Sequence, residues 1–366
     1  SGPLGQGHTY AVGAAIAAKC LYARTGNPTF QKETIYAYIS DGGIQEEISQ
    51  GAARMAGTLG LDNLVMFYDA NDIQLSTETS VVTNEDTAAK YIALGWNVLS
   101  IDGNSVVEIR KALDAAKNRN GKPTLIIGHC VMGKGALKAD GSSYERNCAT
   151  HGAPLGGDAY RNTIKNLGGN PEEPFAVFEE SKEVYAQRRE ELRAWAKDMQ
   201  ATEAEWRKAN PALAEKMDNF YSGKLPEIDY SAINIKPDDA TRSASAAMLG
   251  YFAEHVENMV VSSADLSNSD KTDGFLKKTK AFTKGDFTGQ FFQAGVAELT
   301  MACVMNGMAL HGGIIPACGT FFVFSDYMKP AVRLSALMEK KVIYIWTHDS
   351  FRVGEDGPTH EPVEHE

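Results

Sequence analysis

Asp41 and Asn71 are the first residues whose types and spacing suggest shared chemistry. Asp41-Gly42 follows a short β-rich run at 34–39, and Asn71 follows the next apolar run at 64–68. One strand–helix–strand excursion separates them. In a parallel sheet both side chains then reach adjacent strand ends, where open α/β sheets place ligands. A carboxylate, a side-chain amide and the backbone carbonyl of Ile73 offer hard oxygen ligands for Mg²⁺ or Ca²⁺, and a diphosphate would complete the shell. The plainer reading is two turn residues, since Asp-Gly and Asn both favour turns.

A second concentration of chemistry spans His348-Asp349-Ser350 and Gly354-Glu355-Asp356-Gly357-Pro358-Thr359-His360. Two histidines and several carboxylates share one loop directly after a strand. Histidine exchanges protons near neutral pH, and carboxylates orient it. A solvated acidic loop is the alternative. His129, ending a strand, and His255, on a helix, read as structural. Gly2 to Gly7 leads into a helical stretch and offers backbone N–H groups to an anion. With no strand before it, it is not a dinucleotide fingerprint. The aromatic run 321–327 is rich enough to floor an apolar pocket, although its spacing alone favours a core.

The elements that must hold these residues follow from periodicity. Strands are expected at 34–39, 64–68, 91–101 and 124–129, with helices at 11–23, 48–59 and 106–117 and a Gly-, Ser- and Asn-rich loop at 133–157. Strands alternating with helices at this spacing mean a parallel sheet covered on both faces. Residues 179–224 are charged and helical in composition, punctuated by Pro211 and Pro226, and read as a connector. From Asp239 the alternation resumes, with helices at 242–255, 296–308 and 324–338 and strands at 259–263, 314–318 and 342–346. The fold class is α/β: two parallel-sheet, three-layer units joined by a helical connector, divided at 1–175, 176–237 and 238–366.

Composition narrows the function classes. Apolar residues at 43% and charged residues at 23% fit a soluble globular enzyme rather than a disordered chain. A net charge of −11 disfavours a nucleic-acid partner, so an anionic substrate requires locally concentrated positive charge. No apolar run approaches a membrane span, and no membrane association is expected. Five scattered cysteines, with no pair at metal-clip spacing, point to a reduced cytoplasmic setting.

Taken in order, the segments carry more than each does alone. Gly2 to Gly7, Asp41-Gly42 with Asn71, His151-Gly152-Ala153-Pro154-Leu155, Ser263-Ala264-Asp265-Leu266, Gly319-Thr320-Phe321 and the 347–362 loop follow the order found in transketolases. The chain resembles that family over essentially its whole length. The Gly354 to His360 loop is the most specific match, and Asp41 with Asn71 resembles the signature of thiamine-diphosphate enzymes. The resemblance implies two units of the thiamine-diphosphate-binding type within a longer, three-domain protein. Here they are the later part of the diphosphate-binding domain and the first part of the pyrimidine-binding domain.

Residue by residue, the resemblance implies that Asp41, Asn71 and the Ile73 carbonyl hold Mg²⁺ or Ca²⁺ against the diphosphate. Gly2, Leu4 and Gly42 line the cofactor, and His151 lies near both diphosphate and substrate. Glu298 bonds the aminopyrimidine ring and promotes the tautomer that deprotonates the thiazolium carbon, while the cofactor carries the hard chemistry. Phe321, Phe324 and Tyr327 surround the pyrimidine, with Asp265 just behind. Arg242 and Ser269 hold the sugar phosphate, a task that suits a guanidinium fork. His348, Asp356 and His360 meet the sugar hydroxyls and carbonyl. Glu298, His151, His348 and His360 form the implied catalytic set.

The implied activity is transfer of a two-carbon ketol unit from a ketose phosphate to an aldose phosphate, within the pentose phosphate pathway. The implied assembly is a cytoplasmic homodimer with active sites shared between subunits. Dihydroxyacetone synthase and deoxyxylulose-phosphate synthase use the same cofactor and are the enzymatic alternatives. An inactive fragment making only subunit contacts is the alternative of another class. The chain departs from the family at Ser40 and Glu47, each replacing a glycine, and at Gly51, where a glutamate is frequent. His8 stands for an apolar residue and Arg352 for a small one.

Overall fold

The structure, a computed structural model, describes residues 2–365; Ser1 and Glu366, the outer limits of the expected units, lie outside them. Strands β1 (Ile35–Ser40), β2 (Leu64–Ala70), β3 (Asn97–Asp102) and β4 (Thr124–His129) form one parallel sheet in the order β1-β2-β4-β3. The central strands β2 and β4 are nearly continuous apolar runs, as strands covered on both faces require. The expectation of a strand from 91 needs correction, because Thr87–Ala93 is a helix. The Asp86 side chain caps it by accepting from the Ala89 N–H, which outweighs the β-prone Tyr91-Ile92 pair. Tyr91 turns inward and meets Trp96 edge-on at 5.2 Å.

The second sheet holds β5 (Met259–Ser263), β6 (Phe291–Gln293), β7 (Ile315–Phe321) and β8 (Ile343–Thr347), all parallel, in the order β6-β5-β7-β8. Here β7 continues beyond the expected 318 to Phe321, and the helix expected at 296–308 is Glu298–His311. The helices Glu179–Ala209 and Pro211–Tyr221 lie between the sheets in sequence, broken where Pro211 starts a new helix. Trp206, Ala214 and Met217 bury their apolar faces with Phe30.

One hydrophobic core runs through both sheets, centred on helix Gln6–Thr25 packed along Glu298–His311. Arg24 pins this junction from inside. Its guanidinium donates to the backbone carbonyls of Cys20, Glu257 and Gly289 at 2.9, 2.9 and 3.1 Å. Among the described residues, no helix is long and apolar enough to cross a membrane.

Candidate active site

The parallel register sets Ser40 opposite Asp69, so Asp41 emerges beside the end of β2. Asp41 is buried. Its Oδ1 accepts from the Tyr68 hydroxyl at 2.7 Å, and its Oδ2 accepts from the Asn71 N–H at 3.0 Å. Asn71 Oδ1 accepts from the Ile73 N–H at 3.1 Å, a turn that Asp72 closes with a left-handed φ of 65°. Burial raises the Asp41 carboxyl above the ordinary aspartate range, against the opposing pull of the Tyr68 and Asn71 donors. A nearby cation would reverse that direction. Ser40, a departure from the family glycine, caps the Asp41–Gln45 turn through its hydroxyl. Leu4 lies over Gly42, where an added Cβ would stand 3.3 Å from Leu4 Cδ2. The Gly2–Leu4 segment therefore reaches the Asp41 turn.

The second cluster stands at the ends of β7 and β8, where Phe321 and Thr347 are register partners. Phe321 is buried and stacks on His348 at 3.8 Å and on Phe324 at 5.9 Å. His360 meets Phe321 and Phe324 edge-on at 6.3 and 5.7 Å. Arg242 Nη1 lies 2.6 Å from His348 Nε2, and Thr347 Oγ1 lies 2.9 Å from His348 Nδ1. Burial first, then the Arg242 charge, pull the His348 pKa below its ordinary value. Tyr327 touches Phe324 at 6.1 Å but stands 63% exposed, at the edge of the stack. Asp356 and His360 are exposed. The Asp356 N–H donates to Glu361 Oε2 at 3.1 Å, which anchors the loop.

Other sequence-predicted residues stand apart. Glu298 opens its helix, half-buried, and burial raises its carboxyl. Ser269 lies on the short helix Ser267–Asp270; the buried Asp270 holds that turn by accepting from the Ser263 hydroxyl at 2.6 Å. Asp265 is exposed with a left-handed φ of 64°. His151 is exposed and, among the described residues, makes no side-chain hydrogen bond. Also among the described residues, no hydrogen bond, ion pair or ring contact joins the Asp41 cluster to the His348 cluster. A cleft of about 1120 Å³, lined by Gly2, Pro3, Gln6, Phe322 and Trp346 among others, includes neither Asp41 nor His348. Tyr68 and Glu361 are the site residues that sequence reasoning missed. Each acts through a hydrogen bond that only the fold creates.

Comparisons place the chain among known proteins. The family model for the transketolase thiamine diphosphate binding domain matches residues 1–226, and that for the transketolase pyrimidine binding domain matches 239–366. The chain is 40% identical over 378 aligned positions to a transketolase from Halalkalibacterium halodurans, covering all of this chain and 54% of the relative. It superposes on the transketolase from Leishmania mexicana with a TM-score of 0.92 at 33% identity, covering 99% of this chain and 54% of that one. A transketolase from Pichia stipitis in complex with sedoheptulose 7-phosphate gives a TM-score of 0.90 at 34% identity, with the same coverage. The chain spans about half the length of the curated relatives it matches.

Proposed function

The chain belongs to the transketolase family, and we propose that it is part of an enzyme transferring a two-carbon ketol unit from a ketose phosphate to an aldose phosphate. The observation that carries this reading is that each sheet ends its strands in a cluster of chemically active side chains. One is a buried carboxylate–amide turn at Asp41 and Asn71, the other an arginine–histidine–phenylalanine stack at Arg242, His348 and Phe321. The sugar phosphate named with the Pichia stipitis relative supports that class of substrate.

The residues present fit thiamine diphosphate with a divalent ion. Asp41 is a buried carboxylate with two donors on four lone-pair sites, so acceptor capacity remains for Mg²⁺ or Ca²⁺. Asn71 Oδ1 and the Ile73 carbonyl would complete the protein's share. When bound, thiamine diphosphate supplies the electron sink for cleaving a carbon–carbon bond beside a carbonyl. Gly2, Leu4 and Gly42 border its diphosphate end, and Asp265, Phe321, Phe324 and Tyr327 its ring end. Glu298 holds its carboxyl proton more firmly than an exposed glutamate, as a group that shares a proton with a ring nitrogen requires. Arg242 and Ser269 take the phosphate; His348, Asp356, His360 and His151 orient the sugar and move protons at its oxygens.

The separation of the two clusters supports a homodimer in which one chain's Asp41 side faces another's Glu298 side. The five free cysteines support a reduced, cytoplasmic setting, where the pentose phosphate pathway operates. Calorimetry of the 366-residue chain with thiamine diphosphate and Mg²⁺ tests the cofactor assignment. Asp41→Ala should abolish binding; undiminished affinity would remove the metal site. Ketol transfer by the full-length protein on sugar phosphates tests the activity. Asp41→Ala and Glu298→Ala subunits, inactive separately, should regain activity when reassembled together.

A further inference from the structure

Asp270 is a fully buried acidic residue outside the proposed catalytic set. Its Oδ2 accepts from the Ser263 hydroxyl at 2.6 Å, and its Oδ1 accepts from the Thr272 N–H and hydroxyl at 2.9 and 2.7 Å. All of these donors are neutral. A carboxylate buried without a cation is costly, and the bonds it accepts are correspondingly strong. Ser263 ends β5 and Thr272 follows the short helix Ser267–Asp270, so one carboxylate fastens the loop 263–272 at both ends. Inside that loop Asp265 and Lys271 hold left-handed φ of 64° and 67°, a strain that persists only where the surroundings over-determine it. The Asp270 bonds supply that constraint.

The same carboxylate fits against β7. Ser263 and Gly319 are register partners, and a Cβ on Gly319 would stand 2.6 Å from Thr272 Cγ2 and 3.0 Å from Asp270 Oδ2. Gly319 lies on β7 just before Phe321, at the strand's end. Ser269 directly precedes Asp270, and the N–H groups of both donate to the Leu266 carbonyl at 2.8 Å. We propose that Asp270 is a positioning residue that locks Ser269 in place relative to Phe321, and so sets the span between the phosphate end and the ring end of the site. This rests on the reading of Ser269 as a phosphate contact. A hydroxyl already held in place loses little freedom when it meets its ligand, whereas a mobile one must first be ordered. A phosphorylated sugar therefore gains from the lock. An unphosphorylated sugar offers Ser269 no phosphate and gains nothing.

The test compares a ketose phosphate with the same ketose lacking phosphate, in the full-length enzyme. Asp270→Ala should raise KM for the phosphorylated sugar about tenfold, the effect of losing one hydrogen bond to a charged group, with kcat and the unphosphorylated KM unchanged. Asp270→Asn has the same shape, keeps an oxygen toward Thr272 and should stay near wild type. Ser269→Ala should match Asp270→Ala, and the double variant should be no worse than either. Ser263→Ala removes one donor and should shift KM the same way by less; it replaces Asp270→Ala if that variant does not fold. A phosphorylated KM unmoved by Ser269→Ala would overturn the phosphate reading and the lock with it. If Ser269→Ala acts but Asp270→Ala has no effect, weakens both sugars alike or adds in full to Ser269→Ala, the lock falls and the phosphate contact stands. Asp270→Asn as damaging as Asp270→Ala would make charge rather than position the cause, and would also overturn the lock.

Discussion

Gly13 and Gly307 meet where two helices from different sheets cross, with main chain against main chain. A Cβ on Gly13 would stand 2.1 Å from the Val304 carbonyl oxygen and 2.8 Å from the Gly307 Cα; one on Gly307 would stand 2.2 Å from the Tyr10 carbonyl oxygen. Neither obstacle is a flexible side chain, so Gly307→Ala must push the helices apart. We expect a loss of about 1–3 kcal/mol, the usual penalty for overpacking, read as a lower thermal midpoint. Gly7→Ala, in the Gln6–Thr25 helix, meets nothing within 4 Å and should be neutral or stabilising. Equal midpoints for the two variants would refute so close a crossing. Because Glu298 opens the second helix, the spacing also sets where that carboxyl stands.

Tyr68→Phe removes the 2.7 Å donor from Asp41 while keeping the ring in place. Burial already raises the Asp41 carboxyl, and losing this bond raises it further. Proton and cation compete for the same oxygens, so lowering the pH weakens metal binding, and a raised carboxyl brings that loss on at higher pH than an ordinary aspartate would. On the proposed metal assignment, affinity for Mg²⁺ with thiamine diphosphate should fall about tenfold or more, as for other groups that orient a ligand. The deficit should widen toward acid. Calorimetry at two pH values checks both, and an affinity equal to wild type at each would refute the role.

Local signals made much of this fold legible. The turn after β1 and the apolar run of β2 suffice to bring Asp41 and Asn71 to neighbouring strand ends, because parallel topology leaves few alternatives. By contrast β6 is three residues long, too short for any period to show, and Thr87–Ala93 hides a helix behind β-prone residues and an Asp86 cap. Phe321 shows why spacing misleads at a site. Its ring is buried like a core residue, yet one face lies on His348. The Arg242–His348 contact joins residues 106 positions apart, and no local pattern encodes it. Tyr68 escapes for the same reason, meeting Asp41 across 27 positions, whereas Glu361 reaches back only 5 positions to the Asp356 N–H, inside a loop that carries no period.

His311 and Glu33 link the end of the Glu298–His311 helix to the turn that leads into β1, with Nε2 at 3.1 and 3.3 Å from the two carboxylate oxygens. Burial lowers the His311 pKa, but hydrogen bonding and charge from Glu33, with help from the Gly312 carbonyl, raise it above its ordinary value overall. A raised histidine pKa contributes stability that is full below the unfolded value of about 6.5 and is lost as pH rises through the folded value. Thermal midpoints of wild type and His311→Gln should therefore differ most near pH 5.5 and converge above pH 8. A difference that grows with pH would show that His311 stays unprotonated in the folded chain.

His8 carries the opposite sign. It is 4% exposed in the first turn of the Gln6–Thr25 helix, its Nε2 has no partner, and burial lowers its pKa to about 4. The unfolded chain binds a proton near pH 6.5, and the folded chain resists until near 4. Each unit of separation is worth about 1.4 kcal/mol, so stability falls as pH drops through this window, by about 2 kcal/mol at pH 5. His8→Leu removes the titration and the unpaired nitrogen together. The unpaired nitrogen contributes a gain independent of pH, since a buried polar atom without a partner costs about 1–3 kcal/mol. The titration contributes a gain that appears only on the acid side. Urea unfolding at pH 8 and pH 5 separates the two: the variant should exceed wild type at both, and by more at pH 5. An equal gain at both would mean that His8 takes up its proton in the folded chain as readily as in the unfolded one.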